Sequence, residues 1–193
     1  MDDLTSEQTL PPARSIRFDR VPDLYSEIPE IAKFVSIQPT PEEGYRGFLE
    51  RLRASTTPED AVMFTAFALK SQTGIRWGLD CITSLTPEMT PEDTEIMAMI
   101  SDWLVDGSSE NRWNVLKTAL FAPRRSSAVY LGLAVGWSEG PFAPNDLVMV
   151  PAWRSPRALG SGIMRAVGQV ATDHRSESLD FALDRAAGLL RIN

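Results

Sequence analysis

The stretch Ser126 to Trp137, SSAVYLGLAVGW, carries no charge and is apolar on every face. A helix of this kind needs neighbours all around it, because none of its faces suits water. Ala128, Gly132 and Gly136 recur at four-residue spacing, and this small stripe lets another helix approach closely. Val129, Leu133 and Trp137 form a second, bulky stripe. Each glycine inside a helix costs roughly 1 kcal/mol, so two of them report tight packing. A bilayer crossing needs roughly 20 apolar residues. The stretch is too short for that and reads as a buried central rod.

The elements around the rod are announced by one device. Thr40-Pro41-Glu42-Glu43, Thr57-Pro58-Glu59-Asp60 and Thr90-Pro91-Glu92-Asp93 each place a hydroxyl at the N-cap, proline at the first helical position and carboxylates at the positive end of the helix dipole. Ser155-Pro156 repeats the cap and proline, followed by Arg157. Apolar periodicity then gives helices over 41–52, over 58–71 with Gly74 marking the end, through Ile75, Leu79, Ile82 and Leu85, and over 91–105. Asp106 to Ser109 makes a turn and a new cap, and Trp113, Leu116 and Leu120 mark a further helix. Leu159, Ile163, Val167, Val170 and His174 share one face, and Leu179, Leu183, Ala186 and Leu190 share another after a Ser176 start. The fold class is all-α, an irregular bundle of about seven to eight helices.

Prolines 58, 91, 123 and 156 stand 33, 32 and 33 residues apart, the period of degenerate helix-hairpin repeats. The third unit breaks that pattern, which makes the irregular bundle the default. Residues 1–38 hold several prolines and short apolar touches and read as an extended N-terminal arm lying over the body, with a brief strand near Ser15 to Phe18 and helical turns from Pro29 to Val35. Residues 39–193 form a single helical domain, interrupted by a long loop at 138–154 that carries Gly140, Pro141, Pro144 and Pro151.

Several chemistries lack their residues. One histidine and one cysteine cannot furnish a zinc site, a disulfide or a conventional nucleophile–histidine set, so catalytic and metal-ligating residues are expected to be none, and cofactors none. His174 is read as completing a core edge and Cys81 as a buried inert thiol. Asp80 and Asp102, each in an apolar context, are read as buried salt-bridge partners of Arg76 or Arg112. A net charge of -7 lacks the footprint of a nucleic-acid or anionic-membrane binder. An acidic, polar N-terminus and a lone cysteine point to the cytoplasm.

Two features remain as candidate binding surfaces. Arg124 and Arg125 just inside one helix start, with Arg154 and Arg157 at another, can gather where the long loop folds back and hold a carboxylate or phosphate. A loop of this length is long for a compact domain, and Phe142, Leu147, Met149, Val150 and Trp153 are apolar enough to wrap the body or meet a partner. The expected function is a non-enzymatic interaction or adaptor protein that binds another protein through this loop, Phe142 and Trp153 especially, or through the arm. The alternative is a small anionic-ligand binder or unrecognised enzyme with an arginine-lined helical pocket.

The order of landmarks from Phe67 to Val167 resembles an uncharacterised family of small all-helical bacterial proteins. Phe67-Ala68-Leu69, Arg76-Trp77, Asp80-Cys81-Ile82, Asp102-Trp103-Leu104, Ser109-Glu110-Asn111-Arg112, Val135 to Gly140 and Phe142-Ala143-Pro144 carry the likeness. Glu139 stands where members usually show a second glycine, and Val148 to Arg154 is less proline-rich, so the loop here differs in shape. The resemblance implies a soluble, helical bacterial protein and, for the partner, a secretion-associated component. It transfers no activity, cofactor or catalytic residue.

Overall fold

A computed structural model describes residues 15–190. Among them the chain forms nine α-helices and two short 3-10 turns, with no strand longer than an isolated bridge. The helices are α1 (Val21–Glu27), α2 (Tyr45–Arg53), α3 (Asp60–Ala68), α4 (Ser71–Leu85), α5 (Pro91–Asp106), α6 (Ser109–Phe121), α7 (Ser127–Gly136), α8 (Arg154–Gln169) and α9 (Arg175–Leu189).

The central rod is α7. All its residues except Tyr130 are buried, and α4, α5, α6 and α8 pack around it. The small stripe works as its spacing predicts, since a side chain at Gly132 would meet Ala119 and Ile96, and one at Gly136 would run into Leu116. A second layer, α1 to α3, closes over an aromatic cluster in which Phe48 meets Phe64 edge-on at 4.8 Å and Tyr45 stacks on Phe64 at 5.8 Å. Helix α9 lies across α3, α4 and α8, tied by Trp77 Nε1 donating to the Ala182 carbonyl at 2.9 Å.

Two caps hold their expected form, at Thr90 and Ser108, and Ser126 adds one that the sequence reading does not mark. Thr90, Ser108 and Ser126 each accept the backbone N–H three residues on, and Gly107 takes the left-handed conformation (φ 62°) that ends α5. Others differ for identifiable reasons. Thr40 to Glu43 forms a turn instead of a first helical turn, and α2 begins after Gly44. The 58–71 helix stops at Ala68, because the Arg17 and Lys70 amides bond across the Ile16–Leu69 bridge. Gly74 therefore lies inside α4, where it makes room for Leu159. Ser155 is buried and donates to the Ala134 carbonyl at 2.8 Å, so its hydroxyl joins α8 to α7 and does not cap.

Residues 15–38 correct the extended arm. They contain α1 as well as a 3-10 turn at Pro29–Lys33, where the sequence predicts helical turns, and Val21, Leu24, Ile28, Ile31 and Val35 sit in the core. Pro22 and Pro29 occupy first-turn positions and open these helices. Residues 1–14 of the arm lie outside the described residues.

Candidate functional site

The loop at 138–154 is a compact hairpin with a packed base and a bare tip. The Phe142 amide donates to the Val148 carbonyl at 3.1 Å and the Val150 amide to the Gly140 carbonyl at 2.9 Å, flanking a Pro141–Met149 bridge. The turn is closed by the Asp146 amide on the Ala143 carbonyl, the Val148 amide on the Asp146 carboxylate, and Asn145 at φ 66°, a conformation asparagine tolerates.

The base rests on Arg112 of α6. This side chain is 3 % exposed, and its Nη1 donates to the Gly136 carbonyl at 2.8 Å while the guanidinium lies 4.2 Å from the Trp113 ring centre. Gly140 (φ 70°) passes so close above that a side chain there would sit 3.2 Å from Arg112 Nη2. Burial lowers the Arg112 pKa, opposed by the Glu139 carboxylate. Arg112 Nε and Ser138 Oγ are buried without a hydrogen-bond partner. We expect Arg112→Met, which keeps the stem and removes the guanidinium, to cost about 1–3 kcal/mol through the stranded Gly136 carbonyl and to free the Val150 amide for hydrogen exchange. A Gly140→Ala change should cost about 1–3 kcal/mol from its left-handed backbone and Arg112 contact, read by thermal unfolding.

The flank of the base is an arginine–aromatic cluster. Arg154 lies 4.8 Å from the Phe142 ring, 5.1 Å from Trp137 and 5.6 Å from Trp153, and Arg157 lies 5.1 Å from Phe34 and 5.7 Å from Trp153. Four of the six sequence-derived candidates, Phe142, Trp153, Arg154 and Arg157, thus come together beside a shallow cleft of about 280 Å³. The other two go elsewhere. Arg125 donates to the Ala119 carbonyl at 2.9 Å and closes the end of α6, while Arg124 lines a separate cleft with Arg165. The four arginines do not form one fork. Guanidinium–aromatic contacts of the Arg154 kind are worth about 0.5–2 kcal/mol each and anchor the hairpin to the body.

Beyond this base the chain turns its apolar side outward. Leu147 is 96 % exposed, Met149 62 % and Val148 59 %, side by side on the returning strand. Sequence reasoning singled out Phe142 and Trp153, which serve as anchors, and gave less weight to the tip. The seat, Arg112, was legible only as an acid's partner. No pattern in the sequence marks it as lying beneath Gly140.

The remaining candidates are structural. Cys81 is buried, and burial pushes its thiol up to about 12. A thiol so protonated should react with iodoacetamide at pH 8 only after unfolding. Asp80 and Asp102 are exposed, correcting the buried ion pairs: Asp80 faces Arg185 at 3.8 Å. Helix α8 ends at Gln169, so His174 lies in an exposed turn beside Asp173 and Glu177. Among the described residues no group of three or more His, Cys, Asp or Glu could hold a metal ion, and no helix is long and apolar enough to cross a membrane.

The landmarks at Ser109–Arg112, Val135–Gly140 and Phe142–Pro144 are therefore one assembled piece: the seat, the rod's end and the rising strand of the hairpin. No curated protein and no solved structure matches the chain. A family model matches residues 48–190, which takes in the rod, the seat and the hairpin, and the chain belongs to that family of unknown function, DUF6931.

Proposed function

We propose that this protein is a non-enzymatic adaptor that docks onto a protein partner through the tip of its hairpin. The carrying observation is the contrast within one segment: a base held by Arg112 and Arg154, and a tip that leaves Leu147, Val148 and Met149 in water. Three adjacent apolar side chains on an ordered projection have no task in the monomer, and a cluster of exposed apolar side chains is the kind of surface that a partner covers. The pre-ordered base lowers the entropy lost on docking. The complementary surface is an apolar groove on a folded protein. A net charge of -7 disfavours an anionic lipid surface as the target. The setting we propose is the bacterial cytoplasm, in keeping with the lone buried Cys81, and the class of partner is a secretion-associated component.

The pair Leu147→Asp and Met149→Asp tests the reading. Both side chains are exposed, so the melting temperature should stay within about 2 °C of the parent. Affinity for the partner should fall at least about thirtyfold, the loss of a hot spot worth roughly 2 kcal/mol. Unchanged affinity in a well-folded double variant would remove the hairpin from the interface.

A further inference from the structure

The end of the rod opposite the hairpin carries a second cleft, of about 420 Å³, between the C-terminal end of α4, the N-terminal ends of α5 and α7, and the last turns of α8. That volume lies in the range of small-molecule sites. Its interior holds an unmet demand. Ser127 is 3 % exposed and Thr86 is half-buried; both residues line the cleft, and the hydroxyl oxygen of each is buried with no hydrogen-bond partner. A buried hydroxyl left unpaired costs about 1–3 kcal/mol. Two of them on one cleft mark a place where a polar ligand would be stabilised.

The charges around the mouth define that ligand. Arg124 and Arg165 both line the cleft, are exposed, and have no hydrogen bond or ion pair among the described residues. Glu88 and Asp93 also line it. Asp93 accepts from the Ser126 hydroxyl, which leaves Glu88 as the freer carboxylate. Arg124 is additionally drawn toward Glu92, whose carboxyl is held below its usual range chiefly by hydrogen bonds from its own amide and Thr90. Apolar surface between these charges comes from Leu85 and Met89. Cations and carboxylates balance, so a simple anion would gain at the arginines and lose at Glu88 and Asp93. A molecule carrying both charges meets both.

We propose that this cleft binds a small zwitterion with an apolar body, an amino-acid-like ligand whose carboxylate faces Arg124 and Arg165, whose ammonium faces Glu88, and whose side chain lies on Leu85 and Met89. The hydroxyls of Ser127 and Thr86 hydrogen-bond its polar head. The site is independent of the hairpin, so partner docking and ligand binding can fail separately.

The test is thermal unfolding of the full chain with the standard L-amino acids, supplemented by 4-methylpentanoate and 3-methylbutylamine, which are L-leucine without its amine and without its carboxylate. An apolar amino acid such as leucine or methionine at about a hundred times its Kd should raise the melting temperature by roughly 5–10 °C. Either singly charged analogue should bind at least about tenfold more weakly. Arg124→Ala with Arg165→Ala should abolish the shift, and so should Ser127→Ala in large part. None of these should unfold the protein, because the three side chains make no hydrogen bond or ion pair within the described residues. No shift with any amino acid overturns the proposal, as does an equal shift from 4-methylpentanoate, which would define a plain anion site, or a shift that survives in the double arginine variant.

Discussion

Gly136→Ala should destabilise the protein by about 2–3 kcal/mol although alanine is the better helix former by roughly 1 kcal/mol. A side chain at Gly136 would lie 2.5 Å from the Leu116 Cβ and 2.7 Å from its Cγ. Leu116 is 3 % exposed, and a Cβ cannot be rotated out of the way, so relief requires α6 and α7 to part. In a chain of this size the melting temperature should fall by roughly 4–12 °C. Leu116→Ala in the same background should recover part of that loss, because the two changes share one contact. Gly168→Ala is the control: nothing lies within 4 Å of a side chain there, and the change should stabilise by up to about 1 kcal/mol. Opposite signs for two Gly→Ala substitutions are the expected signature of a rod packed at close range.

A comparably large loss is expected at Trp77. Its ring is 1 % exposed between α4 and α9, and its Nε1 donates to the Ala182 carbonyl at 2.9 Å. Trp77→Ala removes the largest buried side chain of α4 and should cost about 3–5 kcal/mol in thermal or urea unfolding. Trp77→Phe keeps most of the volume, loses the hydrogen bond, and should cost roughly half as much. If the alanine variant unfolded within about 1 kcal/mol of the parent, α9 would not be part of the cooperative core.

The sequence shows the rod plainly, because a helix that is apolar all round has one solution, burial on every side. The caps of α5 and α6 at Thr90 and Ser108 are legible for an equally local reason: a hydroxyl, a free N–H and three residues of spacing decide them. Legibility ends where a distant partner competes for the same group. Ser155 has the local pattern of a cap, yet Ala134 of another helix takes its hydroxyl. The helix expected to run to residue 71 is cut by pairing with residues near Ile16, which lie far away in the chain.

The candidate site divides along the same line. The hairpin residues were found because proline, glycine and loop length are local signals. That Arg154 and Arg157 join Phe34 and Trp137, while Arg124 and Arg125 part company, depends on how α7 and α8 lie together, and no spacing encodes it. The seat at Arg112 is likewise a tertiary fact. It appears only when the end of the rod is brought over α6.

The central claim, a partner seated on the hairpin tip, is met most directly by placing the photo-crosslinking residue p-benzoylphenylalanine at Leu147 and, separately, at exposed Glu50 on α2, and irradiating intact host cells. The account predicts one discrete crosslinked species from position 147, lost when Met149→Asp is added, and none from position 50. The same adducts from both positions, or none from 147 in cells where the folded protein is abundant, would contradict it.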